Sequence, residues 1–553
     1  MRATILGIAA FTTATAAIAS GAPAQAADAP IHAAAMTETV KALASDAFQG
    51  RAPGTPGETK TVDYLIARLK AIGAEPAGEH GGWTQTVPLV QTQIGAGAIS
   101  IATGAGTTTL VRGRDVYLST VRPVDHVAIA AAPLVFVGYG VTAPERQWDD
   151  FKGVDLHGKV AVFLVNDPDF AASPDEPVAG RFGGRRMTYY GRWTYKFEEA
   201  ARRGAIAALI VHDTAGAGYG WQTVIAPGGT NYDIARDIPP VLLQGWIEGE
   251  AARRLFRASG QDLDALRVAA RRADFRPVPL GDARLTADFA VTQTTVQSRN
   301  VLAKLTGTRH PDETVMFGAH WDAYGIGAPD AEGHTIRAGA ADDGVGVAGV
   351  LELARAFKAA RPTDRTLLFA LWTGEERNLL GSEYYAAHPL YPLAKTVASL
   401  TIDVLQTAGP ARDVVLVGAG QSELDAMLAK AAAVQGRIVT PEALPERGLF
   451  YRADHFSVVR RGVPALLLMG MSGGSDLVEG GRAAGDAWLT AYMKCYHQPC
   501  DTWTPAWDLR GAAQDVDLFY MVGRSLADSR VWPAWRADSE FKALREQSAA
   551  ERR

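Results

Sequence analysis

From Asn300 onward the chain alternates short apolar runs with helical periods: "TVMFGAHWD", "GVGVAGVLELARAFKAA", "RTLLFALWTGEE", "ASLTIDVLQ", "DVVLVGAG" and "VPALLLMG". Runs that are apolar throughout belong to strands buried on both faces, and such strands separated by helices build an open, mostly parallel, doubly wound α/β sheet with helices on both faces. In sheets of this kind ligands bind beyond the carboxyl ends of the strands. The residues at those ends are therefore the first candidates for chemistry.

They are polar in an ordered way. His320 and Asp322 close the first run, Asp342 and Asp343 stand at a turn entering a helix in "GAADDGVG", and Glu375 and Glu376 follow the third run in "WTGEERNLLG". Asp403 ends "TID", and His497 sits in "YHQPCDTW". Each has an ordinary reading alone: a hydrogen-bonded loop histidine, a solvated pair at a helix start, a common turn. Together they gather imidazoles and carboxylates at one sheet edge, the donor set a divalent ion such as zinc takes.

In their order and spacing, "HWD", "ADDGVG", "TGEE", "TIDV" and "YHQPCDT" resemble the co-catalytic zinc aminopeptidases of the bacterial leucyl aminopeptidase and aminopeptidase Y type, relatives of glutamate carboxypeptidase II and the transferrin receptor. "SDAFQGRAPGTPGE" and "SRNVLAKLTG" resemble that family too. The resemblance implies two zinc ions per chain: Asp342 bridges them, His320 and Asp403 complete one site, and Glu376 and His497 the other. It also implies Glu375 as general base and a cis bond between Asp342 and Asp343. Asp322 would orient His320, because a metal-bound imidazole needs its other N–H held. Where the family has a small residue and then serine before the glycine of the Asp-Asp turn, this chain has Gly344, Val345 and Gly346. The stretch "FYRADHFSVV" resembles the family's Ser-Asp-His loop with Ala453 in place of serine. Tyr451 there is a candidate oxyanion donor, with a packing role as the alternative, and Asp454 a candidate structural residue.

A chain of 553 residues is longer than one core usually grows. The segment from about Ala132 to Gln244 alternates strands and a helix without any His and carboxylate cluster, and it resembles an inserted, β-rich protease-associated domain. The expected organisation is a leader over 1–26, a catalytic domain over 27–127 and 290–535, an insertion over 128–289 and a tail over 536–553. The leader reading rests on Arg2, a short apolar stretch and the small-residue site Ala24-Gln25-Ala26. It places the mature protein in the periplasm or outside the cell, with no stable membrane insertion.

Export bears on Cys495 and Cys500, the only two cysteines. A thiolate zinc site, a disulfide and two free thiols are all open; with His497 assigned by resemblance to the two-zinc site, an oxidising compartment favours the disulfide. A formal charge of −5 offers no basic surplus for nucleic acid, so the expected partners are peptide substrates. The expected activity is removal of N-terminal residues. Carboxypeptidase action with Arg452 as a contributor, glutaminyl cyclisation and a non-catalytic binding module on the same fold are the alternatives.

Overall fold

The computed structural model describes residues 31–225 and 230–552. The expected leader lies outside them. The principal strands are β1 (Thr84–Thr103), β2 (Val116–Ser119), β3 (His126–Phe136), β4 (Val160–Leu164), β5 (Ala207–Val211), β6 (Leu243–Ile247), β7 (Val278–Leu305), β8 (His310–His320), β9 (Arg365–Trp372), β10 (Thr396–Ile402), β11 (Asp413–Leu416), β12 (Ile438–Pro441) and β13 (Ala465–Leu468). They hydrogen-bond in the order β12-β11-β13-β10-β8-β9-β7-β3-β4-β5-β6-β2, and β1 lies antiparallel on β7. Pairing is parallel for β8 with β9 and β10, and for β10 with β13.

The helices that frame the site are α1 (Ala33–Leu43), α2 (Pro56–Ile72), α3 (Val345–Ala359), α4 (Gly481–Cys495) and α5 (Arg510–Ala527). α2 shows how the sequence marks its ends. Thr55 caps it by accepting the Glu58 N–H, Pro56 stands in its first turn, and Gly73 closes it at φ 82°, a conformation that carries little steric cost only for glycine.

Successive residues of the central strands bury on opposite faces, as the pleat requires. Phe317, Ala319, Phe369 and Leu371 join a core with residues of α1, α2, α3 and α5. Met316, Leu368, Ala370 and Trp372 pack on Tyr385 from the other side. The doubly covered sheet expected from the continuous apolar runs is what forms.

A second core draws on Ile94, Ile99, Ile101, Leu118, Leu134, Val162, Leu209, Ile247 and Phe289. β7 joins the two regions. Its 28 residues pair with β3 near Val278 to Ala290 and with β9 at Val301–Leu305, so one strand crosses position 290 without a break. The chain beyond Trp535 is helical over Lys542–Gln547 and packs down, with buried Arg545 donating to the Thr396 carbonyl.

Candidate metal centre

Strand register sets the site. His320, the last residue of β8, lies opposite Trp372 at the end of β9, and Gly318 lies opposite Thr401 of β10. Asp403 and the Glu375–Glu376 turn therefore emerge at the same carboxyl edge as His320. Asp342 arrives from the turn before α3, and His497 from the loop after α4.

The five ligands expected from the sequence converge as two sets. His320, Asp342 and Asp403 form one, and Asp342, Glu376 and His497 the other, with the ligand atoms of each set within 4.8 Å of one another. Asp342 belongs to both through different oxygens: Oδ1 is 3.1 Å from His320 Nε2 and Oδ2 is 3.2 Å from His497 Nε2. His320 Nε2 is also 3.9 Å from Asp403 Oδ1, and His497 Nε2 is 3.1 Å from Glu376 Oε2.

The donor atoms fit a cation. His320 Nδ1 lies 3.1 Å from the Asp322 carbonyl, which can only accept, so Nδ1 carries a proton and Nε2 is the ring atom turned toward carboxylate oxygens. His497 Nε2 is buried without a hydrogen bond of acceptable direction, although two carboxylate oxygens lie close. Lone pairs facing one another require a positive charge between them, a proton or a metal.

The protonation energetics point the same way. Burial first, then Asp403, Asp454 and Glu376, drives the Glu375 carboxyl well above its ordinary range; burial and Asp342 do the same to Asp403. Burial opposes a charged His497, but Glu376 and Asp342 outweigh it and raise the imidazole to about 9. Without a metal, protons must hold this cluster together.

Glu375 is in neither set. Its Oε2 lies 3.8 Å from His320 Nε2, while Oε2 of the adjacent Glu376 faces His497. The two diverge because they occupy a short helical turn after Gly374, which sits at φ 63°. Asp322 supports both neighbours: its carbonyl faces His320 Nδ1, its Oδ1 is 3.7 Å from the same atom, and that oxygen accepts the Glu375 N–H at 3.1 Å.

Asp343 is wholly used by the backbone, accepting N–H groups from His320, Gly346 and Val404, and so ties β8, the start of α3 and the end of β10 together. A Cβ at Gly346 would stand 2.2 Å from the Asp343 carboxylate, which explains glycine there. The bond between Asp342 and Asp343 is cis, and Cys495 is disulfide-bonded to Cys500.

Tyr451 does not join the cluster. It lies in an aromatic pack with Phe450 and Phe456, and its hydroxyl is 3.1 Å from Glu540 of the C-terminal segment. The packing alternative prevails because that carboxylate takes the one proton the phenol can donate. A phenol that does stand beside the site is Tyr496, whose ring lies 3.6 Å from that of His497; Tyr324 flanks the same imidazole at 4.5 Å.

Two supporting residues carried no assignment in the sequence. Asp501 accepts the N–H groups of Ala341 and Asp342. Arg51, fully buried, donates to the carbonyls of Leu43, Trp321, Ala338 and Gly339. Their signals were present in "QPCDT" and "FQGRAPG", but neither residue carries ligand chemistry that would single it out.

Residues 300–521 match the family model of peptidase family M28. A probable zinc metalloprotease of Pyrenophora tritici-repentis (strain Pt-1C-BFP) is 33% identical over 110 residues, 20% of this chain and 25% of that protein. Leucine aminopeptidase 2 of Trichophyton rubrum is 28% identical over 221 residues, 37% of this chain and 40% of its own. The chain thus spans about a quarter to two fifths of the length of these curated relatives. Among solved structures, the aminopeptidase from Aneurinibacillus sp. strain AM-1 aligns over 90% of this chain and 95% of its own, at 21% identity and a TM-score of 0.49. The matched region holds all five candidate ligands and Glu375.

Proposed function

We propose that the protein is a two-zinc exopeptidase that removes N-terminal residues from peptides after export from the cell. The observation that carries this reading is the pair of ligand sets sharing Asp342, with Glu375 beside them and outside both. Zinc bound by His320, Asp342 and Asp403, and by Asp342, Glu376 and His497, supplies Lewis-acid polarisation of the scissile carbonyl and acidifies water.

The remaining work falls to the chain. Glu375 Oε2 accepts the proton of the attacking water and passes it to the departing amine nitrogen as the C–N bond breaks. Asp322 keeps Glu375 and His320 in place through the contacts described above. Tyr496 provides a phenol beside His497, where Tyr451 does not.

Export is supported by the Ala24-Gln25-Ala26 site and by the Cys495–Cys500 disulfide, which suits an oxidising compartment. No helix among the described residues is long and apolar enough to cross a membrane. We read 128–289 as an inserted domain that narrows access to the centre.

A carboxypeptidase reading has one observation in its favour. Arg452, next to Tyr451, has no ion-pair partner among the described residues and lies within the electrostatic reach of Glu375 and Asp403.

The test is mass spectrometry of peptides with free and with acetylated N-termini, incubated with zinc-loaded protein and with a chelator control. N-terminal trimming of the free-amine peptides alone, abolished by chelator, is expected. Trimming from C-termini would transfer the assignment to a carboxypeptidase, and intact peptides throughout would remove the enzyme reading.

A further inference from the structure

The two ligand sets hold their histidines differently. His320 is buried, and its Nδ1 faces the Asp322 carbonyl at 3.1 Å. The His497 side chain is 27% exposed, and its close polar contacts, with Asp342 and Glu376, are both at Nε2, so among the described residues no carbonyl or carboxylate holds its Nδ1. A metal-bound imidazole ordinarily has its other N–H held, and that bond fixes the orientation of the ring. At His497 a different contact has to fix it.

Two phenol rings lie against it, Tyr496 at 3.6 Å and Tyr324 at 4.5 Å between centroids. Tyr496 is the preceding residue of the same loop and moves with it. Tyr324 stands four residues beyond His320, so its ring ties the imidazole to the end of β8. Tyr324 is itself held: the Arg377 guanidinium lies 4.7 Å from its ring and 5.2 Å from that of Tyr232. Tyr232 belongs to the short strand Thr230–Asp233, which pairs with β1. A planar cation packs well on aromatic faces, and Arg377 enters no ion pair among the described residues that would draw it away. Because Arg377 directly follows Glu376, Tyr324 touches one ligand of the second set and, through Arg377, the neighbour of another. Tyr324, Asp342, Glu376 and His497 line one small hollow.

We propose that Tyr324, covered by Arg377, is a positioning residue for the second ligand set. Its ring orients the His497 imidazole and thereby sets the affinity for the zinc held by Asp342, Glu376 and His497. The set of His320, Asp342 and Asp403 does not depend on it, since the Asp322 carbonyl orients His320. This rests on the two-zinc reading above. An aromatic contact of this kind is lost when either ring turns, so it restricts the imidazole without a hydrogen bond.

Zinc uptake by chelator-treated protein, read by competition with a chromophoric chelator, tests this without turnover. His497→Ala identifies the ion that depends on His497. In Tyr324→Leu that ion is expected to bind about tenfold more weakly, the scale of one aromatic contact, while the other stays within about twofold of wild type. Tyr324→Phe keeps the ring and should keep the wild-type affinity, and Arg377→Gln should weaken the same ion by less than Tyr324→Leu does. The visible spectrum of the cobalt(II)-substituted protein should change in Tyr324→Leu and be preserved in Tyr324→Phe. Unchanged affinity in Tyr324→Leu, equal weakening of both ions, or a loss in Tyr324→Phe as large as in Tyr324→Leu would overturn the assignment. If Tyr324→Leu does not fold, Arg377→Gln decides: weakening of that ion alone upholds the role of Tyr324, and no change overturns it. Wild type that takes up a single zinc ion contradicts the two-zinc reading, and the comparison of Tyr324→Leu with Tyr324→Phe on that ion still decides the role of Tyr324. No zinc uptake at all removes both. Peptides left intact by a protein that shows the expected zinc pattern would remove only the exopeptidase activity.

Discussion

Asp501 Oδ2 accepts the backbone N–H of Asp342 at 3.2 Å, so the loop that delivers His497 also clamps the turn that delivers the shared carboxylate. Ligands from two distant parts of the chain are thereby held in one frame, because Asp501 lies four residues beyond His497.

Asp501→Ala should therefore weaken metal binding without removing a ligand. Supporting residues of this kind typically contribute 10- to 100-fold in metal affinity. Competition for zinc with a chromophoric chelator should show a loss of that order; unchanged affinity would make the clamp incidental.

Arg51 is expected to be a stability residue. Replacing it by Met leaves four buried carbonyls without their donor and removes a cation from beneath Asp322, Asp342, Asp343 and Asp501, whose fields it feels. The expected cost is about 3–5 kcal/mol in urea unfolding of the zinc-loaded protein. Arg51→Lys should recover only part, since one ammonium cannot serve carbonyls on several sides.

Metal removal should make stability pH-dependent in a defined direction. Burial raises the Asp322 and Asp501 carboxyls to about 7, and neighbouring carboxylates raise His497 to about 9 against burial. Between each group's ordinary value and its raised one, the folded metal-free protein holds protons that the unfolded chain releases. The native state then binds more protons, and stability falls as pH rises from about 4 through about 9. Asp342, held well below its ordinary value, has the opposite sign, but its window lies under pH 3.8. Chelator-treated protein should lose Tm between pH 5 and pH 8.5, and zinc-loaded protein should lose much less. Parallel curves would contradict this.

The central sheet and the five candidate ligands were legible because continuous apolar runs and the polar residues that end them are local signals. Arg51 was not, because its meaning lies in carbonyls as far as 288 residues away. Tyr451 misled for a related reason: a loop's sequence neighbours do not reveal where a phenol's proton goes, and here the partner, Glu540, comes from the C-terminal segment.

The central claim is that Glu375 performs proton transfer at a centre it does not help to hold. Zinc content and peptide hydrolysis should be measured side by side for wild type and Glu375→Gln. The account predicts two zinc ions per chain in both proteins and a fall in kcat of about 10²- to 10⁴-fold in the variant. A variant that hydrolyses peptides at the wild-type rate, or one that loses its zinc, would contradict it.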